Sequence, residues 1–158
     1  MTEKDILTAA MQREFATTLR VIQAFPQSEL HFKPHDRSRD ARSLLEGFVR
    51  EMHIMESAVK MQIDMDRIRQ YEAKDLMQIS DDFESATAEF LSLLGKTEEQ
   101  ELNKHVQFFG RELRAMDVLW GLLFDQIHHR GQMSVYIRMA GGKVPSIYGP
   151  SADEQPGM

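Results

Sequence analysis

The chain has 158 residues, 42% hydrophobic, 28% charged and 8% aromatic, with a formal net charge of −6. That balance excludes a disordered polymer, fits one compact domain over residues 1–158, and offers no basic face for nucleic acid. The absence of cysteine excludes disulfides, thiolate metal sites and cysteine nucleophiles together.

Turn-making residues are sparse, which predicts helices. Positions 35–144 contain no proline, and glycine is missing from 1–46 and again from 48–94. Neither an Asn-Gly nor an Asp-Gly hairpin signal is present, so an all-α domain is expected. The first helix is predicted from Glu3 to Phe25, capped by Thr2, with Leu7, Met11, Phe15, Leu19, Ile22 and Phe25 on one face. Pro26 stops it, and a polar connection holding His31, Pro34 and His35 runs to Arg39. A second helix begins near Asp40 and extends to at least Met65, burying Leu45, Phe48, Met52, Met55, Val59 and Ile63. The charged stretch Asp64 to Lys74 has no consistent apolar face and either prolongs that helix into solvent or crosses over.

Ser80, Asp81 and Asp82 read as the start of a third helix, which Gly95 ends, with Phe83, Ala86, Phe90, Leu93 and Leu94 as its core. Residues 97–109 suggest a helical turn and a loop closing at Gly110. The last helix is expected from Arg111 to Ala140, stopped by Gly141 and Gly142, with a bend near Gly131. Four main helices with a longer link between the second and third suggest a four-helix bundle. The tail, residues 142–158, is too rich in Pro, Gly and Ser for a helix, and Val144, Pro145, Ile147 and Tyr148 suggest that it packs back. No apolar run approaches the ~20 residues needed to cross a bilayer. Charges throughout residues 1–15 speak against a secretory leader, so a cytoplasmic protein without membrane contact is expected.

Chemistry concentrates in the last helix. Asp125 and His129 are four apart and project from one face, shared with Val118, Leu122 and Tyr136. Polar groups on an apolar stripe must be paired, hydrogen-bonded or bound to metal. Two readings stay open: a helix-stabilising ion pair, or two ligands of a metal site completed from another helix. The second helix offers Glu51 and His53, which point in different directions because neighbouring positions turn by about 100°. His128 is expected to face away from Asp125, and Arg130 and Gln132 read as structural, the guanidinium tying the tail to the helices. A phosphate-binding glycine loop and a Gly-x-Ser-x-Gly elbow are both absent.

The run Ile127-His128-His129-Arg130-Gly131-Gln132, then Tyr136, Arg138, Gly141-Gly142, Val144-Pro145 and Tyr148-Gly149-Pro150-Ser151, resembles the DinB/YfiT superfamily. A weaker likeness covers Ser38-Arg39-Asp40-Ala41-Arg42. The resemblance implies a four-helix bundle in up-down-down-up order with an ordered non-helical tail, often a homodimer. It implies a divalent metal, such as zinc or nickel, on one histidine of the second helix and two on the last; a carboxylate among the ligands also admits manganese. It implies a small-molecule substrate or a low-molecular-weight thiol, handled by a metal-dependent hydrolase or thiol S-transferase.

Carried onto this chain, the family's final histidine falls on His129 and the one before it on Asp125. The second-helix position falls on Gly47, which has no side chain. Glu51 lies one turn later on the same face, whereas His53 is about 240° round the helix. The expected metal set is therefore Asp125, His129 and either Glu51 or His53. The competing expectation is a metal-free, non-catalytic protein of the same fold that binds a small apolar ligand or a protein partner.

Overall fold

A computed structural model describes residues 1–154, so the end of the expected tail, residues 155–158, lies outside the described residues. Helix α1, Glu3–Gln23, starts at a capping box in which Thr2 and Asp5 each bond the other's backbone N–H. It ends two residues before Phe25, which is nevertheless buried, and a short 3₁₀ turn, Gln27–Glu29, follows Pro26.

Helix α2, Ala41–Val59, is capped by the Asp40 side chain bonding the Ser43 N–H. It stops well short of Met65. Met61 adopts φ 59°, its N–H bonds the Ala58 carbonyl, and the Gln62 N–H bonds the Ser57 carbonyl. This is a Schellman termination with methionine at the left-handed position usually held by glycine. Ile63 consequently sits in a loop, and a five-residue helix α3, Met65–Arg69, fills the crossover.

Helix α4, Leu76–Lys96, begins a turn earlier than Ser80 because Asp75 caps it through the Gln78 N–H, allowing Leu76 and Ile79 to be buried. It passes through Gly95. After the short α5, Glu99–Leu102, the chain departs from the all-helical expectation. Strands β1, His105–Phe108, and β2, Arg111–Arg114, pair antiparallel with Phe108 opposite Arg111. The two-residue turn between them puts Phe109 at φ 48° and Gly110 at φ 74°, the pattern of a type I′ turn. The last helix, α6, therefore spans Ala115–Met139 and not Arg111 onward, and it runs through Gly131 unbroken.

Four long helices share one core. Helices α1 and α2 each pack against both α4 and α6. Phe15 of α1 meets Phe83 and Phe90 of α4 edge-on at 6.4 and 6.1 Å, and Phe48 of α2 meets Phe83 at 6.5 Å. Side chains mark how the ends meet. Lys4 reaches the Thr97 carbonyl, Gln23 reaches Ser80, Glu3 meets Arg114, and the Tyr136 hydroxyl donates to the Arg39 carbonyl. None of the described helices is long and apolar enough to cross a membrane.

Helix α6 closes with a Schellman motif on Gly141 at φ 81°. At Gly142 a Cβ would come within 2.9 Å of Ile137 and 3.0 Å of Pro26, so the chain must be bare there. Beyond it, Val144 is buried, the Ser146 carbonyl accepts from Arg20, and the Tyr148 hydroxyl reaches Glu14 at 2.7 Å. Glu14 also holds Arg130 at 2.5 Å, and Arg130 is 1% exposed. Burial pushes the Glu14 carboxyl up, but the hydrogen bonds from Arg130 and Tyr148 and the Arg130 charge hold it below the ordinary glutamate value.

Arg130→Met leaves Glu14 buried without its cation, a loss of about 3–5 kcal/mol, or roughly 6–20 °C in Tm, at neutral pH. Because Glu14 has a lowered folded-state pKa, its contribution is complete above the unfolded glutamate value of about 4.3 and is lost as pH falls through the folded value. The gap between wild type and variant in urea unfolding therefore narrows on acidification.

Candidate metal centre

Three glutamates are buried among the described residues, and their partners separate them. Glu14 is held by Arg130 and Tyr148 as above. Glu46 accepts from Arg50 at 2.7 Å and from the Ala73 N–H at 3.0 Å, which pins the segment after α3 to α2. Glu51, 7% exposed, has no arginine or lysine bonded to it, and its Oε2 has no hydrogen-bond partner. A buried carboxylate oxygen without a partner is costly unless something else completes it.

What faces Glu51 is Asp125 and His129 of α6. One ligand atom from each of the three lies within 4.8 Å of the others, and this is the one such group among the described residues. Burial pushes the Glu51 carboxyl well above its ordinary value, and the neighbouring Asp125 carboxylate adds to this while Arg39 opposes it. Two carboxylates crowded together in a half-dry site require either a shared proton or a cation.

The histidine is oriented for the second of these. Arg39 Nη2 lies 3.3 Å from His129 Nε2, and a guanidinium can only donate, so Nε2 is the accepting nitrogen. Nδ1 then carries the proton and donates to Gln132 Oε1 at 2.8 Å. Asp125 Oδ2 sits 3.5 Å from the same Nε2. An accepting Nε2 backed by an outer hydrogen bond on Nδ1 is the arrangement of a metal-ligating imidazole. The donor set, two carboxylate oxygens and one imidazole nitrogen, suits zinc, manganese or another divalent first-row ion.

Of the two second-helix candidates, Glu51 joins the group and His53 does not. The His53 ring lies 5.9 Å from Tyr71 in a separate cleft of about 810 Å³ shared with Glu56, Lys60 and Arg67. The site opens into a different cavity, of about 470 Å³, between α2, α3, α6 and the β1–β2 hairpin. His128 is exposed, its ring 5.2 Å from that of His129, while His31, His35 and His105 are exposed elsewhere. Gln132 and Arg39 are the participants that spacing did not reveal. Gln132 lies one turn from His129, which was the available signal. Arg39 precedes α2 and reaches the site only through the fold.

The cluster brings one buried carboxylate, one exposed carboxylate and a half-buried imidazole together between two helices, a donor set that could hold a metal ion. The chain belongs to the DinB family, whose pattern matches residues 1–158. Over 78 residues it is 38% identical to the protein YrdA of Bacillus subtilis (strain 168), covering 48% of this chain. That match spans 46% of YrdA, under half the length of that relative. Two solved structures share the fold. A DinB-like protein from Bacillus cereus ATCC 10987 superposes with a TM-score of 0.78 at 21% identity, over 90% of this chain and 95% of that one. A DinB-like protein from Bacillus subtilis gives 0.70 at 18% identity, over 85% and 91%.

Glu51→Met exchanges an incompletely satisfied buried carboxyl for an apolar side chain of similar volume. In metal-free protein it is expected to raise stability by about 1–3 kcal/mol, read as a higher urea midpoint at unchanged m-value.

Proposed function

We propose that this DinB-family chain is a metal-dependent enzyme of the hydrolase or thiol S-transferase class, its ion held by Glu51, Asp125 and His129. The observation that carries the reading is the orphaned, buried Oε2 of Glu51 facing a second carboxylate and an accepting imidazole nitrogen. A bound zinc, nickel or manganese ion supplies a lowered pKa for water or a small thiol, and so a nucleophile near neutral pH. Glu51 anchors the ion from the dry side, and His129 is kept in the ligating tautomer by Gln132. Asp125, with its side chain 53% exposed, stands where the cavity meets solvent; with one oxygen holding the ion, its other would be the acceptor for the proton of an incoming water or thiol.

The four-helix, up-down-down-up order belongs to the same reading. It is supported by the end contacts: the start of α1 meets the end of α4, and the start of α2 meets the end of α6. The polar bonds between residues 146–153 and the helices support an ordered tail. We place the protein in the cytoplasm and assign it no nucleic-acid or membrane partner. A homodimer through α6 is favoured by the exposed Phe124, Val135 and Met139, which recur at helical spacing on one face. Val135→Glu is then expected to halve the mass seen by light scattering while leaving helicity unchanged.

Gly47 and the Arg39 hydrogen bond already on His129 Nε2 favour a second reading, a metal-free, non-catalytic protein that binds a small apolar ligand or a protein partner. Elemental analysis of protein purified without a histidine tag decides between them. The metal reading expects about one ion per chain, lost in both Asp125→Ala and His129→Ala with helicity retained. Metal far below stoichiometry after reconstitution with zinc, nickel or manganese, with no thermal shift, establishes the second.

A further inference from the structure

The cavity beside the Glu51–Asp125–His129 group has two features that cost stability and serve no packing purpose. Gly47 in α2 and Gly121 in α6 both line it, and a Cβ at either would meet nothing within 4 Å. Glycine inside a helix costs about 1 kcal/mol against alanine, and neither position is demanded by close approach. What the two missing side chains provide is room.

The hairpin tip is the second feature. Phe109 holds φ 48°, a conformation that costs a bulky residue on the order of 1–2 kcal/mol and that asparagine or glycine adopts far more readily in this turn. The residue is also 65% exposed, its ring beside that of Phe108 at 4.5 Å, so neither backbone ease nor burial accounts for an aromatic there. Both phenylalanines line the cavity, as do Ile54 and Ile68. Strain and exposure of this kind at a cavity mouth point to ligand contact.

The polar end supplies the remaining chemistry. Arg39 lines the mouth, pairs with no carboxylate among the described residues, and makes its one side-chain hydrogen bond to His129 Nε2. That nitrogen is the one an ion would take, which frees a guanidinium whose planar fork matches a carboxylate.

We infer that the cavity binds a small aromatic carboxylate, its ring between Phe109 and the wall opened by Gly47 and Gly121, its carboxylate on Arg39. The inference rests on the reading of Glu51, Asp125 and His129 as the reacting centre and names the substrate class of that centre. A volume of about 470 Å³ accommodates a single-ring compound with a short chain.

Zinc uptake is measured first, and the full chain is then titrated calorimetrically with phenylbutyrate and with the neutral phenylbutanol. The acid is expected to bind at least about tenfold tighter than the alcohol, a preference that Arg39→Gln erases. Gly121→Leu, which fills the cavity one helical turn from Asp125 and is first shown to take up zinc as the wild type does, should abolish binding of both. Phe109→Asn suits the turn and is expected to weaken both by about fivefold without lowering Tm. Absent binding, or equal binding by wild type and Gly121→Leu, overturns the inference. A protein that takes up zinc but ignores the acid loses this substrate class and keeps the metal reading. If no zinc is taken up, the same titrations on metal-free protein, where Arg39 still lines the mouth, decide the inference independently of the metal.

Discussion

Arg130 is the charge around which the packing of this protein is arranged. A fully buried guanidinium is tolerable only when its donors and its charge are answered, and here Glu14, the Thr18 hydroxyl, the Glu14 carbonyl and Tyr148 answer them. Those partners lie on α1 and on the chain beyond α6, so one side chain sets the seating of α1 against α6 and the path of the C-terminal segment. The Tyr148 ring, 5.1 Å below the guanidinium carbon, adds a cation–π contact to the same joint. Its immediate neighbour, His129, turns about 100° round the helix and faces α2. The dipeptide thus divides α6 into a structural face and a chemical face, and the rigidity of the first positions the second.

The three buried glutamates show how differently one residue type can be used. Glu14 and Glu46 are fully engaged and work as struts, one joining α1 to α6 and the other joining α2 to the segment before α4. Glu51 sits at equal depth but with an unanswered oxygen; burial and the facing Asp125 carboxylate raise the cost of its charge, and Arg39 offsets only part of it. Native cores seldom leave such a group incomplete without a use for it. The contrast, drawn within one molecule, is a stronger pointer to function than the depth of Glu51 alone.

The elements that were legible in the sequence were those whose signals are local. The stripes of α1 and α2, the Thr2 cap, the start of α2 near Asp40 and the Gly141 stop needed only periodicity and capping chemistry. Met61 ends α2 by the same hydrogen bonds that Gly141 uses to end α6, yet methionine at that position is silent, so α2 read as longer than it is. Ser80 followed by two aspartates outweighed Asp75, because burial of Leu76 and Ile79 depends on tertiary packing. The hairpin was missed because its turn is Phe-Gly, where the recognised signal is Asn-Gly or Asp-Gly. At the site, helical spacing paired Asp125 with His129, while only the family resemblance, through Gly47, set Glu51 on the nearer face and still left His53 open. Spacing could not reveal Arg39, which is 90 positions from His129 in the chain and meets it only once α2 and α6 are docked.

The sequence separation within the Arg130 joint has a consequence for how the protein is made. Glu14 lies 116 positions before Arg130 and 134 before Tyr148. On a ribosome adding ~5–20 residues per second, α1 waits on the order of ten seconds before its cation has even been synthesised. Until then a helix bearing Leu7, Met11 and Phe15, with the unneutralised Glu14 carboxylate on the same buried face, has no final place to dock. Biogenesis of this fold is therefore weighted to its last moments, and the N-terminal helix is the segment that a nascent-chain chaperone would meet exposed.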